Sequence, residues 1–249
     1  IMFLVTACLG WQTRVSVIAS CLIYTYLNML DCLGTFTKYS VIASHMLLLL
    51  SFSHCGAVWS VDAWLTSKPG APPPKFPAWP RRLVQLLIGI VYFGSAITKI
   101  HTPTFFSGDQ LRFWMMTNVN HANPVGEQLT LFPVMLVLSA YSAAVWEITF
   151  LFLAWRGRGR WIMLLLGIGF HTMTLLTLGL YVFPLICITT YLAFLHEGDI
   201  QRWTARWRDR RQLSMKEPAG RGISEMWRQR VSRAFPILLL VVIVAGVLL

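Results

Sequence analysis

The chain has 249 residues, of which 56 % are hydrophobic and 12 % charged, and its mean hydropathy is +0.60. A soluble domain carries roughly a quarter charged residues, so this composition excludes one. The net charge of +11 could suit nucleic acid, but the basic residues flank apolar blocks rather than line a soluble face, which argues against that partner. The blocks have the length that a bilayer core of about 30 Å demands. Gly, Pro and polar clusters separate them without strand-like alternation. The predicted fold class is therefore all-α: a polytopic transmembrane helical bundle of about seven to eight spans.

In chain order the apolar segments are 1–10, 15–33, 41–58, 83–100, 129–154, 161–177, 180–195 and 234–249. Ile1 already lies inside an apolar run and Leu249 ends inside another, so an incomplete first helix is expected. Segments 161–177 and 180–195 are cut at Leu178-Gly179. Reading 161–195 as one helix would move the ten Lys/Arg from Arg202 to Arg233 away from the other basic loops. With that cut, eighteen of the 21 basic residues fall on one side, which the positive-inside rule makes cytoplasmic. The exceptions are Lys38, Arg112 and Lys99. The expected division is a helical membrane domain over 1–196, a basic amphipathic cytoplasmic segment over 197–233 and a last membrane helix over 234–249. Trp residues gather near the cytoplasmic ends, as aromatic belts do. The run Arg202–Arg211, RWTARWRDRR, reads as an interfacial helix with anionic lipid as its partner.

Two loops are more than connectors. Residues 59–82 pass through a proline-rich stretch that favours extended or turn conformations. Residues 101–128 form the most polar outer surface, with His101, Asp109, Arg112, His121 and Glu127. Within it Phe105, Phe106, Trp114 and Met115 could lay an amphipathic segment on the membrane. The five cysteines, Cys8, Cys21, Cys32, Cys55 and Cys187, form no CxxC pair, so neither a disulfide framework nor a zinc site is indicated. There is no HExxH, P-loop or GxGxxG motif either, and no metal is expected.

Lys99 stands where the run 83–100 is about to leave the lipid. A lysine there is either a snorkelling anchor or a functional amine, because burial turns an ammonium into a candidate base or nucleophile. Glu147 lies about 10 Å from the cytoplasmic end of its helix, and His171 about 15 Å from the same side of the next. A Glu147–His171 contact is therefore feasible, as a site or as a pair that fixes helix packing. His171, Thr174 and Thr177 share one stripe. His45 and His54 are weaker candidates, better suited to helix packing or an interface.

Three motifs together resemble the HTTM family, the membrane domain shared by vitamin K-dependent γ-carboxylases and many bacterial proteins. They are Trp59-Ser60-Val61-Asp62, Val91-Tyr92-Phe93-Gly94-Ser95-Ala96-Ile97-Thr98-Lys99, and Gly169-Phe170-His171-Thr172-Met173 followed by Leu178 to Pro184. The resemblance covers roughly residues 10–196. It implies that Lys99 is a base toward reduced vitamin K or another quinol, acting for an exported peptide or a lipid-phase substrate at the outer face. On that reading Lys99, His171 and Glu147 are the catalytic candidates, and Trp59, Asp62, Tyr92 and Arg112 the substrate-binding ones. Ala57 stands where the carboxylases have a histidine two residues before the WSVD tryptophan, and Lys38-Tyr39-Ser40-Val41 replaces their Asn-His-Ser-Tyr segment. The large extramembrane domain has no counterpart in this sequence. The closer resemblance is to short bacterial members, placed in the cytoplasmic membrane as multi-pass proteins. The competing reading is a non-enzymatic membrane partner or transporter-like component, whose intramembrane polar residues only hold helices together.

Overall fold

A computed structural model describes residues 1–30, 38–66, 76–117 and 123–215. Among them every regular element is helical. The expected last span at 234–249 and the residues Cys32, Lys68, Lys75 and His121 lie outside the described residues, as does the basic stretch from 216 onward. The chain divides into two units, one of 1–30, 47–77 and 196–249, the other of 31–46 and 78–195.

The first unit holds α1 (Met2–Leu9), α2 (Thr13–Leu30), α4 (Val61–Thr66) and α12 (Glu197–Met215). Here α4 is tied to the α1–α2 turn, since the Asp62 amide donates to the Gly10 carbonyl at 2.9 Å. The helix α3 (Lys38–Ser51) runs across the boundary between the units.

The second unit is built on α5 (Trp79–Ile100), α9 (Pro133–Leu153) and α10 (Gly157–Leu178), with 22, 21 and 22 residues. At 1.5 Å per residue each is about 32 Å long, enough to cross a bilayer core. Prolines at the first turns of α5 and α9 suit helix starts, where the missing N–H is no loss. Gly179, at φ 63°, ends α10 in the left-handed conformation that glycine adopts without steric penalty. That break coincides with the predicted cut at Leu178-Gly179. These three are the helices long and apolar enough to span a membrane among the described residues. Their outward faces carry Ile90, Ile97, Leu138, Val145, Phe152, Leu165 and Met173, all exposed. Large apolar faces of that kind belong in lipid. The protein is an integral membrane protein.

Three of the other predicted spans come out shorter. Segment 180–195 becomes α11 (Val182–Thr190) followed by a 3-10 turn, Tyr191–Phe194. Together they reach about 20 Å, short of the hydrocarbon thickness. Segment 1–10 yields an eight-residue helix, and segment 41–58 only the apolar helix Tyr39–Ser51.

The segment between α5 and α9 forms α6 (Pro103–Phe106), α7 (Asp109–Met116) and α8 (Pro124–Leu129). The four side chains expected to lie on the membrane pack inward instead, whereas Phe113 and Met116 of α7 are exposed. Phe105, Leu111 and Met115 are buried with Leu136 and Ala140 of α9, while Phe106 and Trp114 are half-buried on the same cluster. These three short helices roof one end of the bundle.

Candidate functional site

The helices α5 and α9 run antiparallel, with Gly89 facing Leu151 and Tyr92 packed on Phe150. Their buried residues recur at three- and four-residue steps: Gln85, Ile88, Tyr92 and Ala96 on α5, and Leu136, Ala140, Ala143, Glu147 and Phe150 on α9. Lys99 continues the first seam and Glu147 lies within the second. In a helix each side chain leans toward its own N-terminus. Across an antiparallel pair the two lean toward one another, so the side chains of Lys99 and Glu147 converge. Lys99 Nζ donates to Glu147 Oε1 and, at 3.2 Å, to Ser95 Oγ one turn back. The two side chains are 17 % and 4 % exposed.

Lys99 therefore turns back into the bundle instead of extending past the helix end. Phe105 of the roof lies 5.5 Å from Nζ and Phe170 of α10 lies 6.0 Å from it, ring centroid to nitrogen. The lysine thus sits at the junction of the roof cluster and the deeper core.

His171 takes a different partner from the one its depth suggested. Its Nε2 is 2.8 Å from Tyr92 Oη, which is in turn 2.8 Å from Tyr191 Oη. Glu147 pairs with Lys99, not with His171, and Phe170 touches both Lys99 and the His171 ring. His171 is fully buried, and its Nδ1 has no hydrogen-bond partner among the described residues. Tyr191 fits beside α10 because residue 167 is glycine; a Cβ there would stand 2.3 Å from Tyr191 Oη.

The 3-10 turn that carries Tyr191 is held at its C-terminal end. Helix-end carbonyls have no partner within their own helix. Here three consecutive ones are each met by a side chain. Gln85 Nε2 donates to Ala193 O at 2.8 Å, Arg160 Nη1 to Phe194 O at 3.1 Å and Arg81 Nη1 to Leu195 O at 3.2 Å. The cationic partners also suit the negative end of the helix dipole. Sequence reasoning missed Tyr191, Gln85 and Gly167, and counted Arg81 and Arg160 only as loop charges. A glutamine in an apolar run was the signal available for Gln85.

The remaining predicted residues lie elsewhere. Asp62 accepts from the amides of Gln12 (2.9 Å) and Thr13 (2.7 Å) and from Thr13 Oγ1 (2.7 Å), so it caps the start of α2. These bonds hold its carboxyl below the ordinary 3.8, the Thr13 amide first and its hydroxyl next. Trp59 is exposed at φ 56°, a rare conformation for a bulky residue. Arg112 is exposed on α7. His45 bonds its own helix carbonyl at Val41, and His54 stacks on Phe76.

No curated protein and no solved structure matches this chain. The sequence model of the HTTM domain matches residues 1–198, from the first helix to the start of α12. That span contains all three motifs together with the Lys99–Glu147 and His171–Tyr92–Tyr191 arrangements, and the chain belongs to the HTTM domain family.

Proposed function

We propose that the chain is a carboxylase-like membrane enzyme or modification factor in which Lys99 is the base, acting near the outer face on a lipid-phase substrate or an exported peptide. The observation that carries this reading is the Lys99 amine, folded back beneath Phe105 and Phe170 and shared between Glu147 and Ser95. In a low-dielectric site such a pair rests as ammonium and carboxylate, or as amine and carboxylic acid; one proton shift across the hydrogen bond separates the forms. The second form offers a basic amine without net charge in lipid. In that form Glu147 holds the proton that has left Lys99, and a proton taken from a substrate leaves Lys99 as an ammonium beside the carboxylic acid.

Reduced vitamin K or another quinol is implied by the family resemblance. The residues suit such a group in kind: an amine beside a carboxylate, flat aromatic faces, and a buried imidazole nitrogen without a partner among the described residues. When bound, it would supply an acidic hydroxyl and a ring open to oxidation. The proposed location is the bacterial cytoplasmic membrane, with a multi-pass chain; the expected seven to eight crossings compare with three membrane-length helices among the described residues. The ends gathered around Arg81, Gln85 and Arg160 would face the cytoplasm. On α12, Ile200, Trp203 and Trp207 are exposed beside Arg202 and Arg206, a pattern that suits anionic lipid.

The same ion pair favours a second reading, a non-enzymatic membrane partner in which Lys99 and Glu147 only hold α5 to α9. Lys99→Arg separates the two, because arginine keeps the charge for Glu147 but does not act as a base. Proteoliposomes are supplied with a naphthohydroquinone, and oxygen uptake is followed at matched protein abundance. The catalytic reading expects a fall of about 100-fold or more in Lys99→Arg, with thermal stability retained. Equal rates in wild type and Lys99→Arg would leave the structural reading.

A further inference from the structure

The carboxylates among the described residues of the second unit are Asp109, Glu127 and Glu147. The first two belong to the roof and the third pairs with Lys99. The opposite end of that unit carries Arg81 and Arg82 at the start of α5, and Arg156, Arg158 and Arg160 where α9 gives way to α10. Two of these guanidinium groups are fixed on consecutive residues, since Arg160 donates to Phe194 O at 3.1 Å and Arg81 to Leu195 O at 3.2 Å. The negative end of a helix offers about half an elementary charge, and arginine is always ionised. Two arginines on one helix end therefore leave it positive by roughly one and a half charges.

The depth of this end decides what meets that charge. Both α5 and α10 have membrane length, and Arg81 and Arg160 lie on their first turns, where a crossing helix leaves the hydrocarbon. Trp79, Trp155 and Trp161 stand at the same end, as headgroup-level rings do. The Trp161 ring centroid is 4.8 Å from the Arg160 guanidinium carbon. Arg81 is only partly buried and gives one N–H to Leu195; the guanidinium fork has further donors, spaced to grip two phosphate oxygens. Arg82 is exposed beside it. From there Leu83, Leu86 and Ile90 run along α5 as an exposed apolar stripe, at the steps of one helix face. A soluble anion has no use for such a stripe, whereas a phospholipid lays an acyl chain along it.

We infer that the Arg81 end of the second unit is a binding site for one anionic phospholipid, its phosphate held by Arg81 and Arg82 and an acyl chain laid on Leu83, Leu86 and Ile90. Basic pockets between membrane helices hold anionic headgroups in this way. Arg160, buried on Phe194 O, positions the 3-10 turn and adds its field without touching the lipid. The site lies at the opposite end of α5 from Lys99 and is independent of any reaction there.

The full chain, purified in a neutral detergent, is titrated with phosphatidylglycerol and separately with phosphatidylcholine, and bound lipid is counted by native mass spectrometry. One phosphatidylglycerol is expected to bind about ten-fold more tightly than phosphatidylcholine, the worth of one charge-assisted hydrogen bond. Arg81→Gln should remove most of that preference. Arg82→Gln, which leaves the Leu195 bond intact, should weaken it several-fold even if Arg81→Gln does not fold. Arg202→Gln deletes the same charge from α12 and should keep the preference. Equal affinity for the two lipids in the wild type overturns the inference without any variant. Equal losses in Arg82→Gln and Arg202→Gln overturn it as well, because attraction by net charge would then suffice. If millimolar inorganic phosphate displaces the lipid completely, the site belongs to a soluble anion and the lipid assignment fails.

Discussion

Asp62 and His171 are both polar residues within family motifs, yet their surroundings differ in how much hydrogen-bonding capacity is used. Asp62 accepts three bonds from Gln12 and Thr13 at the start of α2, two on one oxygen and one on the other. It behaves as a helix cap, complete within its own unit. His171 is buried with one nitrogen engaged and the other without a partner among the described residues. An aspartate that has spent its capacity on a helix end has little left for a ligand. A histidine held at one nitrogen by Tyr92, with the second left over among the described residues, has capacity to spare. Completeness of bonding, more than membership of a motif, separates scaffold from site.

The largest effect that sharpens this contrast is expected at Glu147. Glu147→Ala leaves the Lys99 amine beneath two aromatic rings without its carboxylate, a loss of about 3–5 kcal/mol for breaking a buried pair. Unfolding in mixed micelles measures it. The double variant Lys99→Met/Glu147→Leu should recover most of that loss, because no charge is then stranded. If the double variant is as unstable as the single, the pair is not the cause. Gly167→Ala comes next. Its methyl group would press on Tyr191 Oη and on Trp146, costing about 1–3 kcal/mol by overpacking.

The helical class, the three long spans and the break at Gly179 were legible because length, hydropathy and glycine punctuation act locally. Lys99 was legible too, as a charge at a membrane helix end. Its partner was not. Counting depth from helix ends placed Glu147 near His171, but that count ignored the lean of side chains toward helix N-termini. The seam spacing from Gln85 to Lys99 and from Leu136 to Phe150 carried the missing information. The roof was misread for a related reason: Phe105 and Met115 form an apolar face, and nothing local tells whether such a face meets lipid or α9. Tyr191 and Gly167 belong together only through tertiary packing.

A smaller effect tests the other side of the comparison. Asp62→Ala should cost about 0.5–2 kcal/mol, the usual range for losing a helix N-cap. The sign of its pH dependence follows from the depressed carboxyl. Stability from a lowered acid is fully present above the ordinary value of 3.8 and is lost as pH falls through the lower folded value. Acid titration of thermal stability should therefore show a component, confined to strongly acidic pH, that Asp62→Asn removes. If Asp62→Asn instead abolishes hydroquinone oxidation at full stability, Asp62 is more than a cap.

The smallest stability effect is expected at Arg112, which is exposed on α7 of the roof. Exposed substitutions away from buried features change stability by within about 0.5 kcal/mol, so Arg112→Ala should unfold like wild type. That near-silence makes it the cleanest probe of the exposed face of the roof. A substrate carrying carboxylates, such as a glutamate-containing peptide, would meet Arg112 before anything beneath the roof. Its loss should then raise KM with kcat unchanged, the signature of binding equal in ground and transition states. Raising salt should mimic the variant in wild type and have no further effect in Arg112→Ala, since exposed charges are screened over about 10 Å at 0.1 M. An unchanged KM would show that Arg112 takes no part in substrate recognition.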